Sequence, residues 1–360
     1  MSANSGPCAA TEITLAHGVR GLRLENDLLA ATILPDKGAD IYELIWKPTG
    51  LDVLWKSPWG LKGAGGVPSA MNSTTAWLEA YEGGWQEIFP SGGGPCTYQG
   101  VELNFHGEAS LASWDVEITV ASGRAAEIRL TVRLRRSPFL IERTMRVEAG
   151  RPVLILEEKI TNQGGETLDA MWGHHPAFGA PFLGPACRID TNARGLRADD
   201  AYDVPHNPLA LDGRYRWPLA ETEGGTLDLA RVPAETEERQ LLAYLHDFDG
   251  THGWYGLTNT ALGLGVGLAW PTAVFPYAWF WQEMHGTAGF PWYRAAYVMA
   301  IEPFSSIPGQ GLVKVIQGTG TRLTLAPGES ISAELAAVFY ESTTGIAGID
   351  RDGTVAVQEV

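Results

Sequence analysis

Three runs decide the fold: Ala126–Leu134 (AEIRLTVRL), Phe139–Val147 (FLIERTMRV) and Pro152–Ile160 (PVLILEEKI). In the first, Arg129, Thr131 and Arg133 alternate with Leu130, Val132 and Leu134. That period of two gives a strand one wet and one buried face. Arg136-Ser137-Pro138 and Glu148-Ala149-Gly150-Arg151 read as the turns between the runs. Three strands joined so tightly predict an antiparallel meander.

Further runs of the same kind lie on either side. Upstream are Leu28–Leu34, Ala39–Trp46 and Trp114–Val120. Downstream are Leu241–Leu245, Leu262–Trp270, Tyr297–Ile301, Arg322–Leu325 and Ile331–Phe339. All are short and rich in β-branched and aromatic residues. The 43 glycines and 22 prolines punctuate them. Helical periodicity is nearly absent, with one short helix expected at Thr74–Tyr81. The stretch 179–238 is the least regular and reads as long loops. These signals predict an all-β protein, one large antiparallel β-sandwich. They divide the chain into a flexible N-terminus (1–10), a single domain (11–342) and a C-terminal extension (343–360) folded as a turn or hairpin.

Composition narrows the function. The 360 residues hold 26 basic and 42 acidic side chains, a formal net charge of −16. Such a surface disfavours nucleic acid and anionic membranes as partners. Three cysteines, Cys8, Cys96 and Cys187, show no pairing pattern, which fits a reducing compartment. No signal peptide and no run near the roughly 18 apolar residues of a membrane span is present. A cytoplasmic protein, monomer or homodimer, is expected. Gly63-Ala64-Gly65-Gly66 lacks the Lys-Ser/Thr ending of a phosphate loop and reads as a turn.

Three blocks carry proton-transfer chemistry: Asn104–Glu108 (NFHGE), Gly173–Phe178 (GHHPAF) and Ala300–Pro303 (AIEP). His106 ends a strand-like run beside a glycine. His174 and His175 are adjacent, so in a strand they point to opposite faces and one reaches any given pocket. Each is also open to a structural reading. Glu302 ends an apolar run, and a buried carboxylate is costly unless paired. Its structural reading is an ion pair with an arginine such as Arg294. Among the 13 tryptophans, Trp279 and Trp281, with Gln282, suggest a platform for the apolar face of a sugar. Asp247, beside His246, sits in a loop that can line a pocket. The histidine spacing matches no standard metal site, so neither metal nor cofactor is expected.

Five regions resemble the aldose 1-epimerase (galactose mutarotase) family, as an outlying branch. They are Leu24–Trp55 with its Gly38-Ala39 turn, Gly83–Pro90 (GGWQEIFP), His106-Gly107-Glu108, His175-Pro176-Ala177-Phe178 and Ile301-Glu302-Pro303. The resemblance implies a β-supersandwich and interconversion of the α and β anomers of a free aldose. It implies Glu302 as general base, His175 as general acid and His106 as a second histidine near the ring oxygen. The family's arginine upstream of the first histidine has no counterpart between Arg23 and His106. Trp85, Gln86 and Glu87 are the candidates to bind in its place. Ala177 stands where tyrosine is usual. The rival readings are a non-catalytic carbohydrate-binding protein on the same fold, and an epimerase or lyase acting on a modified sugar.

Overall fold

A computed structural model describes residues 7–63 and 70–358. Residues 1–6, most of the N-terminal segment, and Ala64-Gly65-Gly66 of the glycine-rich turn lie outside the described residues. Cys8–Thr14 is already a strand.

The meander forms where the alternation places it. Ala125–Arg133, Phe139–Glu148 and Val153–Asn162 pair antiparallel in sequence order. Ser330–Glu341 extends them on one side and Asp115–Val120 on the other, within an 8-stranded sheet. A second sheet of 15 strands packs against it. Inward residues of both, such as Ile128, Leu130 and Leu156 from the small sheet and Trp85, Phe178 and Phe280 from the large one, share one core. Fully burying a large apolar side chain contributes about 1.5–3 kcal/mol. Trp114, Trp172 and Trp270 are among the largest side chains so buried.

The stretch 179–238 departs from the loop expectation. It contains the strands Cys187–Thr191, Ala193–Ala198, Arg214–Arg216, Leu219–Thr222 and Gly225–Asp228. Four of them continue the large sheet to its edge. These strands are short and their burial is uneven, so they carry little of the alternation by which strands are read. The last residues form a hairpin, Ile346–Ile349 with Val355–Val357. Ile346 and Ile349 pack on Trp254, Val338 and Tyr340, on the outer face of the small sheet.

Helix Ser73–Ala80 forms one residue earlier than the expected Thr74. The Asn72 side chain caps it, accepting the Thr75 amide at 2.8 Å. A second short helix, Leu312–Gln317, has too few residues to show a period. No helix among the described residues is long and apolar enough to cross a membrane.

Candidate active site

The site sits mid-sheet, on the face of the large sheet turned away from the small one. Four neighbouring strands build it: Gly173–Gly179, Tyr297–Phe304, Tyr277–Met284 and Arg239–Phe248. Alternation sends Phe178, Met299, Ile301, Ala278 and Phe280 into the sandwich core. It sends His175, Glu302, Trp279 and Trp281 to the opposite face, where they line one cavity.

Flanking register pairs Gly173 with Phe304 and Ala177 with Ala300, which sets His175 directly across from Glu302. Between those pairs the ladder is interrupted, because Pro176 and Pro303 bring no amide hydrogen to it. The two residues before proline are held extended. Both side chains therefore stand off the sheet at one point.

His106 arrives from a turn on the same side of the sheet. Its own φ is 57° and that of Gly107 is 74°, two successive left-handed residues. A Cβ at Gly107 would lie 2.3 Å from the Phe89 carbonyl oxygen, so the turn needs glycine there. Gly93 fixes the imidazole. Its amide donates to His106 Nδ1 at 3.2 Å, while its carbonyl accepts the His106 amide at 3.0 Å. With Nδ1 accepting, the ring hydrogen lies on Nε2.

The cavity encloses about 220 Å³. That is below the roughly 300–1,000 Å³ usual for drug-sized ligands and suits one small ring. Its walls are mostly aromatic: Trp77, Tyr81, Phe105, Trp279, Trp281 and Trp292. Ring centroids lie 5.6 Å (Trp281), 5.7 Å (Tyr81) and 5.8 Å (His106) from His175. Trp77 and Trp279 satisfy their indole N–H groups elsewhere, on Ser110 Oγ and the Ser306 carbonyl. No lysine or arginine is among the described lining residues.

Glu302 is 2 % exposed, and Arg294, its expected partner, pairs with Glu238 instead. His175 Nε2 lies 3.9 Å from Glu302 Oε1. That gap is too long for a hydrogen bond. Glu302 Oε2 and His175 Nδ1 have no hydrogen-bond partner among the described residues. Burial alone pushes the Glu302 carboxyl well above its usual range. Burial pulls the His175 imidazole down to about 4. Burial, and then the neighbouring His175, hold His106 well below its ordinary value. Between the two ionisations of the His175–Glu302 pair, the pair holds one proton in total. Neutral acid with neutral imidazole and carboxylate with imidazolium are two placements of that proton.

The other residues singled out from sequence lie elsewhere. Trp85 and Glu87 point to the sandwich core. There the Trp85 indole donates to His174 Nδ1 at 3.2 Å, and His174 Nε2 meets Glu158 Oε2 at 3.0 Å. Glu87 bonds to Arg143 and accepts the Trp172 indole hydrogen at 2.8 Å. Arg143 also meets Glu158 at 2.5 Å. Burial and the Glu158 charge push Glu87 far up, whereas His174 and Arg143 overcome burial to hold Glu158 down. Glu87, Glu158 and His174 are close enough to resemble a metal site. The Arg143 guanidinium already supplies the positive charge that a metal would bring.

Gln86 is buried against Asp40 and the Gly83 carbonyl. Gln282 turns inward, its amide 3.6 Å from Met299 Sδ. Asp247 is largely exposed and pairs with His246 at 2.9 Å. The structure thus brings Glu302, His175, His106, Trp279 and Trp281 together, and leaves Trp85, Gln86, Glu87, Gln282 and Asp247 outside the cavity. It adds Trp77 and Tyr81 from the first helix and its end, Trp292 from a loop, and Tyr202, which meets the Trp281 indole. Aromatic density around positions 77–85 and 279–292 was the available signal for three of these four.

The family described as Domain of unknown function (DUF4432) matches residues 16–338. No curated protein matches the chain. Solved structures do. A Klebsiella pneumoniae subsp. pneumoniae protein, named provisionally as an aldose 1-epimerase, superposes with a TM-score of 0.68 at 18% identity, covering 93% of this chain and 84% of its own. A galactose mutarotase-like protein from Clostridium acetobutylicum gives 0.65 at 17% identity, covering 93% and 99%. A galactose mutarotase related enzyme from Lactobacillus acidophilus gives 0.59 at 17%, covering 91% and 99%. At such identities the likeness is one of fold. The chain therefore belongs to the DUF4432 family and carries the galactose mutarotase-like sandwich fold.

Proposed function

We propose that the protein is a mutarotase, an aldose 1-epimerase that interconverts the α and β anomers of a free, uncharged monosaccharide. One observation carries the reading: His175 and Glu302 face each other across adjacent strands, 3.9 Å apart, at an aromatic cavity and without a competing ion pair.

Anomer exchange removes the proton of the C1 hydroxyl and delivers one to the ring oxygen. The bond from C1 to the ring oxygen breaks and the aldehyde forms. Rotation about C1–C2 turns the other carbonyl face, and closure reverses both transfers. The two oxygens hang from one carbon, so groups only 3.9 Å apart can reach both. The reaction needs one proton and one lone pair in the pair, which is the protonation state described above. With a sugar bound, its hydroxyls solvate the charged placement, Glu302 acting as general base and His175 as general acid. The Nε2 hydrogen of His106 then polarises the ring-oxygen region. Trp281 offers a wall for the sugar's C–H groups.

A binding protein would use the aromatic walls alone. Such a protein has no need of a carboxyl and an imidazole held at one point, which anomer exchange requires. The test is NMR magnetisation exchange between anomers over a panel of free aldoses. Exchange faster than buffer on at least one sugar, and lost in Glu302→Gln, is the expected result. Sugar binding with no exchange on any member would replace the enzyme by the binding protein.

A further inference from the structure

A second pocket of about 480 Å³ opens on the same face of the large sheet, towards its edge. Arg197, Arg214, Arg216, His246 and Tyr277 line it. In a chain of net charge −16, three of the lining residues are arginines, brought to one face of the sheet.

Strand pairing forces the convergence. Arg197 and Arg214 are directly opposed across the ladder. Like charges in that position destabilise a sheet. Arg216 follows on the same face, two residues on. Arg197 is tied to Asp212 Oδ1 at 2.5 Å. Arg214 and Arg216 have no hydrogen bond or ion pair from their side chains among the described residues. Asp247, beside the pocket's His246, is largely exposed and paired with it. Space is kept for a ligand as well. Gly195 opposes both Arg216 and His246, and a Cβ there would lie 2.3 Å from the His246 ring. Three arginines around a hollow, only Arg197 of them ion-paired among the described residues, are the arrangement that an oxyanion completes. Guanidinium forks match phosphate, sulfate and carboxylate geometry.

We propose that this pocket is a second binding site, one that takes the oxyanion group of a small molecule. It is separate from the sugar cavity. A cross-strand row runs Arg214, Arg197, Tyr244, Trp279, Glu302. At about 4.8 Å per strand, Arg197 stands roughly 14 Å from Glu302. The Tyr244 and Trp279 rings, in edge contact at 5.9 Å, stand between. An anionic group on a monosaccharide held at Glu302 would not reach the arginines, so the ligand is an independent molecule.

The test is isothermal titration of the whole protein with inorganic phosphate, and separately with citrate, at constant ionic strength. Arg214→Ala/Arg216→Ala is compared with wild type and with a control, Arg124→Ala/Arg135→Ala, that removes equal charge from exposed positions elsewhere. Saturable binding is expected in wild type and control. The pocket variant should bind more weakly by about tenfold per guanidinium, the size of one charge-assisted hydrogen bond. Phosphate binding alone assigns a tetrahedral oxyanion, and citrate binding alone a carboxylate. No saturable binding of either, or equal weakening in pocket variant and control, overturns the proposal. None of these outcomes depends on the mutarotase reading.

Discussion

His175 and Glu302 are cross-strand neighbours whose ladder is cut by a proline beside each of them, Pro176 and Pro303. Their imidazole and carboxyl face one cavity at 3.9 Å. The first prediction concerns that pair. Glu302→Gln and His175→Asn should each slow anomer exchange by about 10²–10⁴-fold, the usual worth of a general acid or base. Binding of the sugar, followed by tryptophan fluorescence, should persist in both. A variant that turns over at the wild-type rate would remove that residue from the chemistry.

Exchange should also depend on pH in a particular way. The pair is competent while it holds one proton. His175, drawn down by burial, sets the acid limb at about 4. Glu302, pushed up by burial, sets the alkaline limb well above the ordinary carboxylate range. A rate profile of the free enzyme should therefore be flat across neutral pH's acid side, where a solvent-exposed histidine would titrate. A limb at the ordinary histidine value near about 6.5 would count against the burial argument.

Stability carries the same signature. Glu302 binds its proton more tightly folded than unfolded, so its contribution falls as pH rises from the ordinary carboxylate value through its folded one. His175 acts over a different window. Its folded value of about 4 is depressed, so stability rises with pH from there to about 6.5. Thermal unfolding of Glu302→Gln against wild type should show the variant gaining ground steadily from acid to alkaline pH. A constant difference would mean that Glu302 is ionised in the fold at the ordinary value.

The charge cluster in the core should behave as a unit. Arg143→Met leaves Glu87 and Glu158 without their guanidinium, which should cost about 3–5 kcal/mol in denaturant unfolding. Replacing Arg143, Glu87 and Glu158 together with apolar residues should cost less than the single change. If Arg143→Met unfolds at the wild-type denaturant concentration, the cluster does not hold the sheets together.

Trp281→Ala should act on binding. The ring stands 5.6 Å from His175 and forms a cavity wall. Its loss should raise KM several-fold, in line with about 0.5–1.5 kcal/mol for an aromatic contact, with a smaller effect on kcat. Phosphorylated aldoses should be poor substrates of wild type, since no cation lines the cavity to replace their water.

Much of this was readable in advance, for local reasons. The meander from Ala126 to Ile160 alternates so regularly that strands and pairing follow from it. Adjacency told that His174 and His175 take opposite faces, but not which face holds the cavity. That depends on Glu158 and Arg143, which meet His174 and Glu87 from the other sheet. The same ignorance put Glu87 and Gln282 near the sugar. No local pattern announces a partner 56 residues away, or tells a carboxylate for Arg143 from one for a ligand. Trp77 and Tyr81 were hidden differently. Their helix was legible, but its resting place over the outer face of the large sheet is a tertiary fact. Arg197 and Arg214 stayed unread because their short strands lie in a stretch with almost no alternation.

The composition of the cavity wall has one further consequence. A sugar caught between its two ring forms is an aldehyde, the form that condenses with primary amines to give imines. The described wall of rings, two histidines, a carboxyl, glycines and leucines contains no lysine and no cysteine. On the proposed mechanism the open chain, formed at every turnover, thus meets no amine or thiol on that wall to condense with.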